Sequence, residues 1–328
     1  MIAAGRSTMA YDPGIQEYVE RARGALGNMA DLGALTLTQR RLRADRAAAL
    51  VNEPYPAWLE VSDTYIVLPG RELLVRVYRP RSQLPLPAIV FLHGGSFMAG
   101  SPQGHDFITA SLACNTGAQV ISVHYRRAPE NPYPAPTEDS YEALCWAARE
   151  ADLLGIDPHR IAVAGDSAGG NLAAACALLA RDRNGPRLRM QALVYPTLDA
   201  DFDTPSYLNN TNDAFLTRDA MKASLAAFLP SAGAYTDGYA LPMRAASHAA
   251  LAPAYLLLAD HDPLLDDGIR YAEKLRAAHV PVQLRVGKGM IHGFMRARRF
   301  SDAVEAEFQL LCAALRSALD LPEPPGRW

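Results

Sequence analysis

The chain has 328 residues and a mass of 35.5 kDa, longer than the ~100–200 residues of a common domain yet within reach of one large α/β domain. Hydrophobic residues make up 49% and charged residues 20%, an ordinary globular balance that excludes disordered, collagen-like and coiled-coil classes. With 32 Lys and Arg against 35 Asp and Glu the formal charge is −3, so no basic field exists to hold nucleic acid or an anionic membrane surface.

Only Lys222, Lys274 and Lys288 are lysines; the remaining cations are arginines scattered along the chain, a skew of composition rather than a recognition surface. Cys114, Cys145, Cys176 and Cys312 are too dispersed for a disulfide framework, and no pair stands at zinc-ligand spacing. They are expected as buried, reduced thiols. The first twenty residues carry Arg6, Asp12, Glu17 and Glu20 and no apolar h-region, so no secretory signal is expected. No apolar run approaches the ~18 residues of a membrane span. The expected protein is soluble and cytoplasmic.

In chain order, residues 1–52 come first. Ile15, Val19 and Ala22, then Leu42, Ala49 and Leu50, stand at helical spacings among many charges and predict two amphipathic helices. From Val61 the period changes to two. Residues 65–68 and 73–78, separated by Pro69-Gly70, predict an antiparallel strand pair. Short apolar runs follow at 88–92, 119–123, 161–164, 191–194, 255–258 and 282–286. Helical patterns fill the gaps at 137–150, 168–181, 266–278 and 301–319. Near-continuous apolar strands joined by helices predict a mostly parallel sheet with helices on both faces. The gap of about sixty residues between Val194 and Tyr255 is too long for a simple crossover. It predicts an insertion, about 198–250, over the top of the sheet, with a helix at 218–229. The expected division is an N-terminal helical cap segment at 1–52 and a catalytic domain at 53–328 that contains the insertion.

Gly165-Asp166-Ser167-Ala168-Gly169 fits G-x-S-x-G directly after one strand and before one helix. A strained strand-to-helix turn there lifts the serine hydroxyl out of the sheet. The pattern alone arises by chance in roughly one chain in ten of this length, so the strand and helix around it carry the weight. His93-Gly94-Gly95-Ser96-Phe97 ends the 88–92 strand. Paired glycines bring backbone amides close to a ligand, and acyl transfer needs such donors for the developing oxyanion. An oxyanion hole is therefore expected around Gly94, Gly95, Ser96 and Ala168, with the amides of Gly95, Ser96 and Ala168 as its three donors. His93 is expected to brace the loop. The base and its orienting acid must come from later strand ends, and Asp262 and His292 stand there. Asp260, Asp266 and Asp267 compete for the acid's role, and His261 and His279 for the base's. Pro263 favours Asp262 at the loop tip, while Asp266 and Asp267 can cap the following helix. The order Ser167, Asp262, His292 is that of α/β-hydrolases.

From residue 84 to 294 the chain resembles the hormone-sensitive-lipase-like group of α/β-hydrolases, the bacterial family IV carboxylesterases. The resemblance is carried by His93-Gly94-Gly95, Tyr125-Arg126-Arg127-Ala128-Pro129-Glu130, Gly165-Asp166-Ser167-Ala168-Gly169-Gly170-Asn171, Asp262-Pro263-Leu264 with Asp266 and Gly268, and Gly289-Met290-Ile291-His292-Gly293-Phe294. It implies an eight-stranded α/β-hydrolase sheet, a lid from the N-terminal helices and the insertion, and a homodimer. It also implies hydrolysis of short- to medium-chain acyl esters without metal or cofactor. The same residues would serve an amidase or a small-molecule deacetylase. The fold also hosts non-catalytic hormone receptors, but those lack the catalytic histidine, and His292 is present. Two positions depart from the family pattern: Ser96 replaces the last glycine of H-G-G-G, which puts a side chain near the acyl or alcohol pocket, and Arg127 replaces an apolar residue.

Overall fold

The computed structural model describes residues 11–26, 35–210 and 215–323. The N-terminal helices are α1 (Pro13–Leu26) and α2 (Leu37–Ala49), and the parts of the 1–52 expectation at 1–10 and 27–34 lie outside the described residues. Thr36 opens α2 with a reciprocal cap, its hydroxyl accepting from the Gln39 amide while Gln39 returns a bond to the Thr36 backbone.

Strands β1 (Leu59–Leu68) and β2 (Arg71–Pro80) form the expected hairpin, turned at Gly70 with φ +74°. The rest alternates: β3 (Leu86–Leu92), α3 (Asp106–Thr116), β4 (Gln119–Val123), α4 (Ala135–Arg149), the short α5 (Ala151–Leu154), β5 (Ile156–Asp166), α6 (Ala168–Asp182) and β6 (Leu188–Val194). The long connection carries α7 (Pro205–Asn209) and α8 (Arg218–Phe228); then come β7 (Ala254–Ala259), α9 (Leu265–Ala277), β8 (Val282–Gly287) and α10 (Asp302–Ala318).

The sheet has eight strands in the order β1-β2-β4-β3-β5-β6-β7-β8. Pairing is antiparallel at β1/β2 and β2/β4 and parallel from β4 through to β8. Side chains of β3 alternate between two cores: Ala88, Val90 and Leu92 pack with α4 and α6, while Ile89 and Phe91 pack with α3 and α10. This three-layer arrangement covers both faces of the central strands, which is why they read as unbroken apolar runs.

α3 was absent from the sequence expectation, and the physical reason is plain. All eleven of its residues are buried, so it has no polar face to set a helical period. Among the described residues no helix is long and apolar enough to cross a membrane. Cys114, Cys176 and Cys312 are buried free thiols, and Cys145 is half-buried.

At Gly169 α6 and β3 approach so closely that an added Cβ would overlap the Leu92 carbonyl and the His93 oxygen. Gly169→Ala must push α6 away from β3, and overpacking against backbone should cost about 3 kcal/mol or more. Gly24→Ala in α1 meets open space and should be neutral or stabilising by up to ~1 kcal/mol. Equilibrium denaturation of the two variants checks the contrast.

Candidate active site

The site forms at the C-terminal edge of the parallel strands, where four loops meet. Ser167 sits between β5 and α6 at φ 55°, ψ −119°, a conformation that costs a non-glycine residue on the order of 1–3 kcal/mol. It is held there from both sides, its amide donating to the Val194 carbonyl at 2.9 Å and its carbonyl accepting from Thr197 at 3.2 Å. Gly165 and Gly169 pack so closely across the turn that a Cβ on the first would strike the second's carbonyl.

From this turn the Ser167 Oγ lies 2.9 Å from His292 Nε2, and His292 Nδ1 lies 2.7 Å from Asp262 Oδ2. A carboxylate only accepts, so Nδ1 carries the proton and Nε2 presents its lone pair to the serine hydroxyl. The other Asp262 oxygen accepts the Leu264 amide at 2.8 Å, which fixes the carboxylate's plane. All three side chains are largely buried: Ser167 and His292 are 8% exposed and Asp262 1%. The Tyr195 ring packs 4.9 Å from the imidazole.

The competing acids do other work. Asp260 accepts the Gly289 and Met290 amides, both at 3.0 Å, and so anchors the loop that carries His292. Asp266 accepts the Ser206 amide at 2.8 Å. Asp267, fully buried, accepts Leu198 and Asp199 at 2.9 and 3.1 Å. Asp266 and Asp267 therefore tie down the β6–β7 connection rather than cap α9, a correction to the expectation; the N-cap position is Leu264, without a side-chain bond. His261 faces the Tyr11 ring, and His279 is exposed beyond the far end of α9.

The loop after β3 carries two of the candidate amides. Those of Gly95 and Ser96 meet no acceptor among the described residues, and neither does the Ala168 amide at the first turn of α6. Gly94, expected within this loop but not as one of the three donors, is engaged elsewhere. Its amide donates to Asp166 Oδ1 at 2.8 Å, so it is spent on the neighbouring loop and unavailable to an oxyanion. Asp166 is buried, which opposes ionisation, yet His105 beside it at 3.4 Å, Arg296 and the Gly94 amide hold its carboxyl down at about 2. His93 braces the loop as expected: its Nδ1 donates to the Gly94 carbonyl at 2.9 Å, its ring stacks 4.3 Å from Tyr125, and burial drives its pKa well below the usual value. The Ser96 hydroxyl makes no hydrogen bond to its own loop, and the residue is half-exposed.

The arrangement can activate a hydroxyl as a nucleophile. The pairing of Asp166 with the Gly94 amide, and the amides taken by Asp260 and Asp267, carry no signal in the sequence, because each depends on which loops the sheet brings together.

Residues 89–296 match the family described as the alpha/beta hydrolase fold. The carboxylesterase NlhH of Mycobacterium tuberculosis is 45% identical over 256 residues, covering 76% of this chain and 79% of that protein. The ethyl acetate hydrolase of Pseudomonas putida is 32% identical over 319 residues, covering 95% of this chain and 100% of that one. Among solved structures, a thermostable esterase from Pseudomonas putida superposes with a TM-score of 0.88 at 32% identity over 97% of this chain and 100% of its own. An esterase from Pyrobaculum calidifontis gives 0.87 at 34% identity over 94% and 99%.

One buried acid near this site sets a pH dependence. Burial, with the Asp199 and Asp262 carboxylates adding to it, pushes the Asp267 carboxyl up to about 8 despite the two amides it accepts. The folded chain then keeps a proton that the unfolded chain releases near ~3.9. Stability from neutral Asp267 is full at low pH, falls as pH rises from about 4 to 8, and levels off above. Asp267→Asn should flatten that slope in urea denaturation at pH 5, 7 and 9. Parallel slopes for the two proteins would contradict the assignment.

Proposed function

Since the chain belongs to the hormone-sensitive-lipase-like family of the α/β-hydrolase fold and is a carboxylic ester hydrolase, we propose that it cleaves esters by a two-step Ser167–His292–Asp262 mechanism. The observation that carries the proposal is the unbroken chain of contacts from Ser167 Oγ through the imidazole to Asp262, at 2.9 and 2.7 Å.

Ser167 attacks the ester carbonyl while His292 Nε2 takes its proton. The carbonyl oxygen becomes an anion, received by the amides of Gly95, Ser96 and Ala168. His292 gives the proton to the departing alcohol, leaving an acyl group on Ser167. Water, deprotonated by the same imidazole, then attacks the acyl-enzyme and releases the acid. Asp262 holds the tautomer and stabilises the imidazolium.

The substrates we assign are short- to medium-chain acyl esters, in keeping with the ethyl acetate hydrolase among the relatives and with a hydroxymethyl group, that of Ser96, beside the oxyanion donors. Residues 1–52 and about 198–250 are read as a cap over residues 53–328. Docking of α1 on the histidine loop, through the Asp12 amide to the Gly289 carbonyl at 2.9 Å, supports that role, as do the Tyr18 ring contacts with Phe215 and Phe300.

Ser167→Ala should reduce kcat on aryl acetates by several orders of magnitude while the fold persists. Asp262→Asn should cost on the order of 10⁴, the figure known for the same change in a serine protease triad. Asp260→Asn, which affects only the anchoring of the loop, should cost far less. If Asp260→Asn proves the more damaging substitution in steady-state kinetics, the assignment of the acid is wrong.

A further inference from the structure

The segment from Ser96 to Gly100 is held in an unusual backbone conformation by donors that come from outside it. Ser96 has φ 56° and Phe97 φ 59°, two successive non-glycine residues in the left-handed region. Such a pair persists only where the surroundings over-determine it.

Here the surroundings are the carbonyls' partners. The Ser96 carbonyl accepts from Ser224 Oγ on α8 at 2.8 Å. The Phe97 carbonyl accepts from the Ala128 amide at 2.9 Å. The Met98 carbonyl accepts from Arg41 Nε on α2 at 2.8 Å, and the Gly100 carbonyl from Arg127 Nη1 at 2.7 Å. The Arg41 guanidinium also reaches the Ala128 carbonyl at 3.3 Å and both oxygens of Glu130 at 2.7 and 2.8 Å. The Phe97 ring lies flat on Phe228 of α8, centroids 3.9 Å apart at 7°. While these carbonyls are engaged by donors on neighbouring elements, the amides of Gly95 and Ser96 meet no acceptor among the described residues.

We propose that Ser224 and Arg127, with Arg41, are positioning residues that clamp this strained loop so that its amides meet the oxyanion, making the hole depend on the seating of α2 and α8. The proposal rests on the reading of Gly95 and Ser96 as oxyanion donors. Arg127 thereby acquires a role, since its guanidinium secures the far end of a loop in which both Ser96 and Phe97 are strained. Losing a clamp lets Ser96 relax toward negative φ and displaces the amides. The developing anion requires those donors more than the neutral ester does, so the loss falls on kcat rather than KM. Ser96→Gly relieves one of the two strained positions, leaving only Phe97, and so weakens the need for the clamp.

The test is a cycle of Ser224→Ala and Arg127→Gln, each in the natural chain and in the Ser96→Gly chain, with kcat and KM on an aryl acetate and the inhibition constant of a trifluoromethyl ketone. Circular dichroism and Tm establish folding, and two clamp variants are made so that a folding failure in one leaves the other to decide. In the natural chain each should lower kcat by about tenfold, short of the 10²–10³ for a donor removed outright, with KM within about twofold. The ketone's affinity should fall with kcat. In the Ser96→Gly chain the same substitutions should cost less than about twofold, the coupling expected of residues that act through one backbone segment. Equal losses in the two chains, or losses confined to KM, overturn the clamp while an inactive Ser167→Ala leaves the hydrolytic mechanism standing. Persistent turnover in Ser167→Ala overturns both.

Discussion

The candidate site depends on one backbone conformation, the turn at Ser167 with φ 55° and ψ −119°. β5 is buried from Ile161 to Asp166 and free of polar side chains until Asp166 itself, so it delivers the chain to the sheet's C-terminal edge in a fixed register with β3 and β6. α6 begins at the next residue, and only a sharp turn between flanking glycines fits. Once the hydroxyl is fixed there, any partner must come from neighbouring strand ends. A parallel sheet supplies them, since its C-terminal ends share one edge. The loop after β3 brings amides, the loop after β7 brings Asp262, and the loop after β8 brings His292.

That crowding places several carboxylates in low-dielectric surroundings, and each is satisfied in a different way. Asp166 takes the Gly94 amide and stays ionised beside His105. Asp260 takes two amides of the histidine loop, while Asp267 takes two from the β6–β7 connection and becomes a weak acid. Asp262 alone of the acids on its loop meets the imidazole at hydrogen-bond distance. Buried polar groups must find partners, so the loops that frame the site are locked to one another by their acids.

Much of this was legible in the sequence. Unbroken apolar runs identified the parallel strands, and the strand–G-x-S-x-G–helix context singled out Ser167. Pro263 pointed to Asp262 over its neighbours, and the structure brings that residue to His292. Other features depended on packing that no local pattern encodes. α3 is buried all round and lacks a polar stripe. Nothing local in His93-Gly94-Gly95 shows that the Gly94 amide is taken by Asp166, which the sheet sets beside it. Asp266 and Asp267 stood at capping positions but turned toward residues some sixty positions away in the chain. Arg127 had no reading until the Gly100 carbonyl came within 2.7 Å of it.

In this mechanism one serine, Ser167, carries the acyl group. Intact-mass analysis after treatment with a fluorophosphonate, followed by peptide mapping, identifies the residue that does so. One adduct per chain, on Ser167, with ester turnover lost in proportion to labelling, is the predicted result. An adduct on another residue, or full turnover by the labelled protein, would contradict it.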